Sequence, residues 1–284
     1  IADVTTPENR SKGMGLIGMA FGLGFIIGPA LSAFSASAFG LSGPGWVAAS
    51  LCGGNFLLAC FILQESLKPN SEHAARRPKF DQWVHTLRLP KLGLLIGIYF
   101  LATFCFACFE STLPLLLDRR FRYDEKHVGY LFAYCGLISV FIQGGVIGRL
   151  VKRFGEAQLI FGSLIVVAAS MAMIPFAPHL TEMLVALGLF SAGSGVNRAP
   201  TMGMISLNSP PGEQGATLGV AQSAGTLARI VGPVFATSLY SLRVPLPYLI
   251  CAGVAVVAGL VAWQNLCKVK TPLSPADLRK VDAA

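Results

Sequence analysis

The sequence predicts an all-α membrane protein in which transmembrane helices form two similar bundles. Hydrophobic residues make up 54% of the 284-residue chain and charged residues only 13%, which excludes a soluble domain of ordinary composition. Long apolar runs follow one another, and one of them recurs with its glycine and proline positions intact. Each run is expected to be a helix, because lipid offers no partner for an unpaired backbone group.

Eight apolar runs are long enough to cross a bilayer, which requires about 20 residues per helix. They cover approximately residues 14–39, 45–64, 92–117, 127–151, 157–177, 181–207, 216–241 and 246–267. A polar stretch at residues 66–91 separates the first two spans from the other six. That stretch is either a solvated linker or, over residues 85–93, a short basic amphipathic helix on the membrane surface.

The first span has small residues at every fourth position. Ala20, Gly24, Gly28 and Ser32 fall on one face of a helix. Small residues allow a neighbouring helix to approach closely in lipid. Pro29 removes a backbone donor, so we expect a bend beside this face and interpret the span as a close-packed pivot.

The region around this span is repeated later in the chain. With a shift of 204 positions, residues 1–33 align on residues 205–237 without a gap. The small and kinked positions of the second copy are Ala224, Ala228, Gly232, Pro233 and Ala236. A repeat of this kind predicts two similar halves.

The repeat also predicts how the chain is divided, because spans one and two pair with spans seven and eight. Residues 1–65 are then the last two helices of an N-terminal six-helix half, of which four helices are missing from a chain that opens with Ile1. Residues 66–91 are expected to be a cytoplasmic central loop. Residues 92–267 form the C-terminal six-helix half, and residues 268–284 a cytoplasmic tail.

The positive charges predict the orientation of the spans. Of the 22 Lys and Arg residues, fifteen fall on one side of the predicted spans and five on the other, while Arg198 and Arg229 lie inside spans. The side enriched in Lys and Arg is the cytoplasmic one. We therefore expect a monomeric, multi-pass protein of the inner or plasma membrane with both ends of the fragment in the cytoplasm. The net charge of +8 is explained by topology rather than by nucleic-acid binding.

Three segments of the chain resemble segments of a known family. The first span resembles the fifth-helix signature of drug/proton antiporters at Gly15, Gly24, Gly28 and Pro29. The segment GRLVKRFGE resembles a cytoplasmic loop motif at Gly148, Leu150, Arg153 and Gly155, with Lys152 at a position that is usually acidic. Residues 1–15 are similar to the corresponding loop of tetracycline-efflux proteins. The chain thus resembles the Major Facilitator Superfamily, with eight of an expected twelve helices.

The resemblance implies secondary active transport that draws on a proton gradient and needs no cofactor. The exported substrate would be a small amphipathic, drug-like compound, exchanged for protons by alternating access. Uptake or symport of a small metabolite on the same fold is the nearer alternative. A membrane receptor or adaptor that moves no solute is a further one.

Three ionisable residues inside apolar runs are candidates for the substrate or proton pathway, because such residues are costly in lipid. Glu110 is either a proton carrier or a partner of Arg119 or water. Arg198 is either a pathway residue or a side chain that reaches the cytoplasmic interface. Arg229 either couples to substrate or protons, or bonds helix carbonyls freed by Pro233.

Polar residues without charge complete the candidates. Asn55, Gln143 and Gln222 are expected either to face a central cavity or to support helix packing. The phenylalanines nearest to Glu110 offer the cavity an aromatic surface or pack against lipid; they are Phe104, Phe106 and Phe109.

Enzymatic motifs are absent from the sequence. It has no HExxH, GxSxG or Walker segment, and its four histidines lie in or near predicted loops. Cys105 and Cys108 form a CxxC without a second pair, so we expect buried thiols and no metal site. The sequence therefore indicates a transporter and not an enzyme.

Overall fold

The computed structural model describes residues 5–62, 79–210 and 213–267, and these residues form helices and short connections without a strand. The helices are α1 (Arg10–Phe39), α2 (Gly43–Ile62), α3 (Lys79–Arg88), α4 (Pro90–Phe121), α5 (Glu125–Val140), α6 (Ile147–Phe154), α7 (Glu156–Met173), α8 (Leu180–Leu207), α9 (Gln214–Leu242) and α10 (Leu246–Ala262). Two π-helical turns extend them, Phe141–Val146 between α5 and α6 and Trp263–Cys267 after α10. The predicted all-α fold is confirmed.

Among the described residues, six helical segments are both long and apolar enough to cross a membrane. They are Arg10–Phe39, Gly43–Ile62, Pro90–Phe121, Glu125–Phe154, Glu156–Phe176 and Leu246–Cys267. The other two predicted spans fall on α8 and α9, which have 28 and 29 residues and pack against these segments. The predicted count of eight is therefore approximate, and every predicted span lies on a helix.

Part of the polar connection before α4 is helical. Helix α3 packs against α4 and α9, with Thr86 buried, and ends one residue before Pro90 begins α4. This position is compatible with the amphipathic helix predicted for residues 85–93, although the helix begins earlier in the chain. The remainder of the predicted central loop, residues 63–78, and the predicted tail, residues 268–284, lie outside the described residues.

The turn between α4 and α5 is closed by local hydrogen bonds. Arg122 ends α4 with a left-handed φ of 56°, and its N–H donates to the carbonyl of Asp118. Asp124 caps α5 by accepting the N–H of His127 at 3.0 Å. This backbone hydrogen bond, joined by the His127 side chain, lowers the pKa of Asp124. The cap therefore stabilises α5 above the ordinary pKa of an aspartate, and its contribution is lost as the pH falls through the lowered pKa.

The helices from α4 onwards form one bundle, and α1 packs on its side. Helix α4 packs against α9 and α10, and α7 packs against α8 and α10. A cluster of rings lies at the centre, with the centroids of Phe109 and Phe190 4.0 Å apart. Helix α1 contacts α5 and α8, whereas α2 packs against α1 and is exposed apart from the buried Gly43 and the half-buried Pro44 and Val47.

The two small-residue faces of the repeat have different surroundings. On α9 the face is buried against α4, and a Cβ at Gly232 would lie 2.9 Å from that of Ala107. On α1 the face is exposed, and Cβ atoms at Gly24 or Gly28 would meet nothing within 4 Å among the described residues. The close contact of α1 is made by another face, where Gly22 lies against Gly136 of α5.

We expect Gly136→Ala to destabilise the contact between α1 and α5. The new Cβ would lie 2.6 Å from the carbonyl oxygen of Gly22 and 3.0 Å from the Cβ of Phe25, so the two helices must separate. Overpacking of this kind costs about 1–3 kcal/mol. The measurement is the midpoint of thermal unfolding of the purified protein in detergent.

Gly97→Ala in α4 is the matched control, because a Cβ there would meet nothing within 4 Å. Alanine is a better helix former than glycine, so this variant should unfold at an equal or higher temperature. Equal unfolding temperatures for Gly136→Ala and the parent protein would contradict the close approach of α1 and α5.

Candidate functional site

A cavity of about 80 Å³ lies where α1 meets the bundle. Its wall is built from α1, α4, α7, α8, α9 and the rod formed by α5, the π turn and α6. The wall includes two aromatic and four polar or charged side chains, which are Phe21, Tyr99, Gln143, Asn197, Arg198 and Arg229. A wider groove of about 550 Å³ shares Phe21 and Arg229 and runs along the exposed small-residue face of α1.

Two arginines from different helices meet at one aromatic ring of this cavity. The guanidinium carbon of Arg198 in α8 lies 4.2 Å from the centroid of Phe21, and that of Arg229 in α9 lies 5.9 Å from it. A ring face attracts cations within about 6 Å. Two positive charges therefore lie next to the Phe21 ring, one from α8 and one from α9.

Buried hydrogen bonds hold the segment of α8 that carries Arg198. Its neighbour Asn197 is buried and donates from Nδ2 to Ser163 Oγ of α7 at 3.0 Å. Ser163 in turn donates to the carbonyl of Ile160, and Thr201 donates to that of Asn197. With Asn197 tied to α7, the next residue along α8 is turned towards α1.

Helix α9 is positioned by its contact with α4. Ala228 and Gly232 are buried on either side of Arg229 in the sequence. Two turns before Arg229, Gln222 Oε1 accepts the hydroxyl hydrogen of Tyr99 of α4 at 3.0 Å, and the Tyr99 ring lies against Gly225. Gln222 therefore orients a tyrosine of the cavity wall rather than lining the cavity itself.

Glu110 lies near this site but is not part of the cavity wall. It is half-buried on α4, and the opposite charge that acts on it is Arg229 of α9. The arrangement brings the predicted acid and one predicted arginine into electrostatic contact. It leaves two cations and one carboxyl group around the same region.

Gln143 is placed in the cavity by the π turn. Its side chain is 6% exposed, and its amide lies against Gly18 of α1, while Gly195 of α8 leaves room on the other side. Its Oε1 has no hydrogen-bond partner. Asn55, in contrast, is exposed on α2, which packs against α1 away from the cavity.

The predicted aromatic residues have different positions. Phe106 lines the cavity, and its ring lies 6.1 Å from that of Phe25 in α1. Phe104 packs on Phe235 of α9, with centroids 5.2 Å apart. Phe109 is buried in the central cluster, so it supports the wall from behind.

The residues of the predicted loop motif surround the end of α6. Gly148 lies against the aliphatic stem of Lys12, and Arg153 lies over the ring of Phe154 with 5.4 Å to its centroid. Leu150 is half-buried. Gly155 has a φ of 77°, a conformation that favours glycine, and it allows α6 to end and α7 to begin at once. The motif therefore shapes the connection beside the first turn of α1.

A cluster of hydrogen bonds connects the first turn of α1 to the bundle. Arg10 is 6% exposed and donates through Nη1 to Ser206 Oγ at 2.7 Å and to Gln214 Oε1 at 3.3 Å. Ser11 donates to Glu156 Oε1 of α7. These contacts join the beginning of α1 to α7, α8 and α9.

Sequence reasoning did not find this cluster, since it counts Arg10 only among the fifteen cations of the cytoplasmic side. One signal was available: Arg10 and Gln214 are 204 positions apart, so they are equivalent in the repeat.

Comparisons with known proteins agree with this architecture. The sequence profile of the Major Facilitator Superfamily matches residues 1–181 and again residues 144–280. Multidrug resistance protein 2 of Bacillus subtilis (strain 168) is 29% identical over 274 residues, which cover 93% of this chain and 67% of that protein. Tetracycline resistance protein, class C, of Escherichia coli is 27% identical over 245 residues, which cover 85% of this chain and 61% of that protein.

A solved structure is similar over most of the chain. The crystal structure of the human organic anion transporter MFSD10 (TETRAN) has a TM-score of 0.81 and 27% sequence identity, and the match covers 92% of this chain and 66% of that one. The chain spans about three fifths to two thirds of the length of the curated relatives it matches.

We expect Phe21→Leu to loosen the junction of α1 with α8 and α9. Leucine keeps an apolar side chain but removes the ring face on which both guanidinium groups rest, a loss of about 0.5–2 kcal/mol. The measurement is the unfolding midpoint in detergent. Phe34→Leu is the matched control, because Phe34 lies on the same helix, is 68% exposed and has no cation over its ring among the described residues. Equal midpoints for the two variants would contradict a stabilising role of Phe21.

Proposed function

The chain belongs to the Major Facilitator Superfamily. We propose that it functions in secondary active transport and exports a small amphipathic compound in exchange for protons. The observation that carries the proposal is the cavity between α1 and the bundle, with polar groups of four helices and the ring of Phe21 turned into it. In this proposal the protein is a monomer in the inner or plasma membrane, and the end with Arg10 faces the cytoplasm.

The composition of the cavity wall suits an amphipathic compound. Phe21, Phe25 and Phe106 offer ring faces to an apolar part, and Asn197 and Arg198 offer hydrogen-bond donors to a polar part. The similarity to proteins named for tetracycline and multidrug resistance supports export of a drug-like compound.

Alternating access requires contacts that can open at one end of the cavity. The cluster of Arg10, Ser11 and Glu156 joins α1 to the bundle there through few, polar contacts. Polar contacts of this kind can be exchanged for water when the two sides separate. We therefore assign the cytoplasmic closure of the cavity to this cluster.

Glu110 is the acid that the proposal assigns to proton coupling. A half-buried carboxyl group beside Arg229 changes the charge of the site from +1 to +2 when it binds a proton. A positively charged compound is then bound less well, so proton and compound exclude each other, as exchange requires.

A second candidate function is transport of organic anions, and a specific observation favours it. Arg198 and Arg229 meet at Phe21 with a single nearby carboxyl group, so the cavity has an excess of positive charge. The similar human structure is named an organic anion transporter. For an anion the sign of coupling is reversed, because a proton on Glu110 frees Arg229 to bind it. Proton and anion then travel together, as in symport.

We expect Glu110→Gln to abolish proton-driven transport and to preserve exchange of labelled for unlabelled compound. The amide keeps the size of the side chain but neither binds nor releases a proton. The measurement is flux of tetracycline in proteoliposomes with and without an imposed pH gradient.

Asp118→Asn is the control for this experiment, since Asp118 is exposed two turns further along α4 and should not affect coupling. Tetracycline flux that ignores the pH gradient in the parent protein would count against exchange.

The second function, symport of an organic anion, is tested by the pH dependence of the affinity for an aromatic anion. If proton and anion bind together, the affinity of the purified protein for 6-hydroxy-2-naphthoate rises as the pH is lowered through the range in which Glu110 binds a proton. The increase should be absent in Glu110→Gln. Affinity that falls at lower pH, or does not change, would contradict symport of an anion.

A further inference from the structure

The rod from Glu125 to Phe154 contains one irregularity, and it lies at the cavity. The π-helical turn Phe141–Val146 has one more residue per turn than an α-helix, and π turns are frequent at functional sites. Each residue of a regular helix advances by about 100°, so the extra residue rotates everything beyond it by about that angle. Gln143 is directed to the wall between α1 and α8 by this turn.

The amide of Gln143 occupies a space made by two glycines. Its Oε1 lies against Gly18, where any Cβ would collide with it, and a Cβ at Gly195 would lie 3.6 Å from its Cγ and Nε2. The backbone N–H of Gly18 is directed along α1 within the helix and is not available as a donor. The side chain is thus accommodated closely but is not hydrogen-bonded through its oxygen.

An unpartnered amide oxygen in a buried site is costly and unusual in folded proteins. Two hydrogen bonds of the same wall go to other acceptors, since Asn197 Nδ2 donates to Ser163 and the Tyr99 hydroxyl donates to Gln222. Gln143 nevertheless lines the same cavity as Arg198. The missing donor is therefore best supplied by a molecule that enters the cavity.

We infer that Gln143 is a specificity-determining residue, whose amide oxygen accepts a hydrogen bond from a hydroxyl or N–H group of the transported compound. The inference rests on the proposed function and adds a substrate class, namely aromatic amphipathic compounds that carry a hydrogen-bond donor. The amide turns off Gly18 into the cavity when the compound is bound, and returns when it leaves. An otherwise similar compound without the donor leaves the oxygen unpaired and is bound less well.

The experiment compares two probes that differ only in the donor. Equilibrium binding of 6-hydroxy-2-naphthoate and of 6-methoxy-2-naphthoate is measured by fluorescence on the purified protein in detergent. The parent protein should bind the hydroxyl compound about tenfold more tightly, the effect expected of one buried hydrogen bond. In Gln143→Met, which keeps an unbranched side chain of similar length without the amide, the ratio should fall to about one.

Gln143→Asn provides a second variant if the methionine variant does not fold. It keeps the amide but withdraws it by one methylene, so the ratio should also fall. A tenfold ratio that persists in either folded variant would overturn the role of Gln143 and leave the proposed function standing. Failure of the parent protein to bind either naphthoate would instead overturn the cavity as a binding site for aromatic anions, and this role of Gln143 with it.

Discussion

The close approach of α1 to α5 is the contact on which the cavity depends. Gly22 and Gly136 bring the two backbones together, and Gly15 and Gly18 leave room for the backbone and side chain of Gln143. Lipid does not drive apolar helices together as water does, so shape and small residues decide such contacts. Once α1 is held at this distance, Phe21 lies against Arg198 and Arg229, and α1 completes the wall of the cavity.

The two copies of the repeat, in α1 and α9, contact each other at their first turns and have different neighbours further along. Arg10 and Gln214 occupy equivalent positions and are hydrogen-bonded to each other, as expected where two equivalent segments meet at a common axis. Further along, the equivalent faces diverge: Gly232 is buried against α4, whereas Gly28 is exposed. Two copies of one pattern therefore make one contact with each other and otherwise have separate neighbours.

Charge inside the bundle is concentrated in one region and is not balanced there. Intramembrane charges are costly unless they pair or face a polar cavity. Arg198 and Arg229 lie over one ring, and Glu110 interacts electrostatically with Arg229. Because a proton on Glu110 changes the net charge of the region, the charge of the transported compound and the direction of proton movement are linked. The same three residues are compatible with exchange for a cationic compound and with symport of an anion.

The sequence by itself determined the helical membrane fold, the approximate spans, the repeat and the three intramembrane ionisable residues, because hydropathy, charge and spacing are local properties of the chain. Only the tertiary structure decided which of these residues meet. It brought Arg198, Arg229 and Gln143 to one cavity, left Asn55 on an exposed helix and engaged Gln222 with Tyr99. The contacts of Arg10 join helices distant in sequence, and the π turn places Gln143 between two such helices, so no local pattern encodes either arrangement.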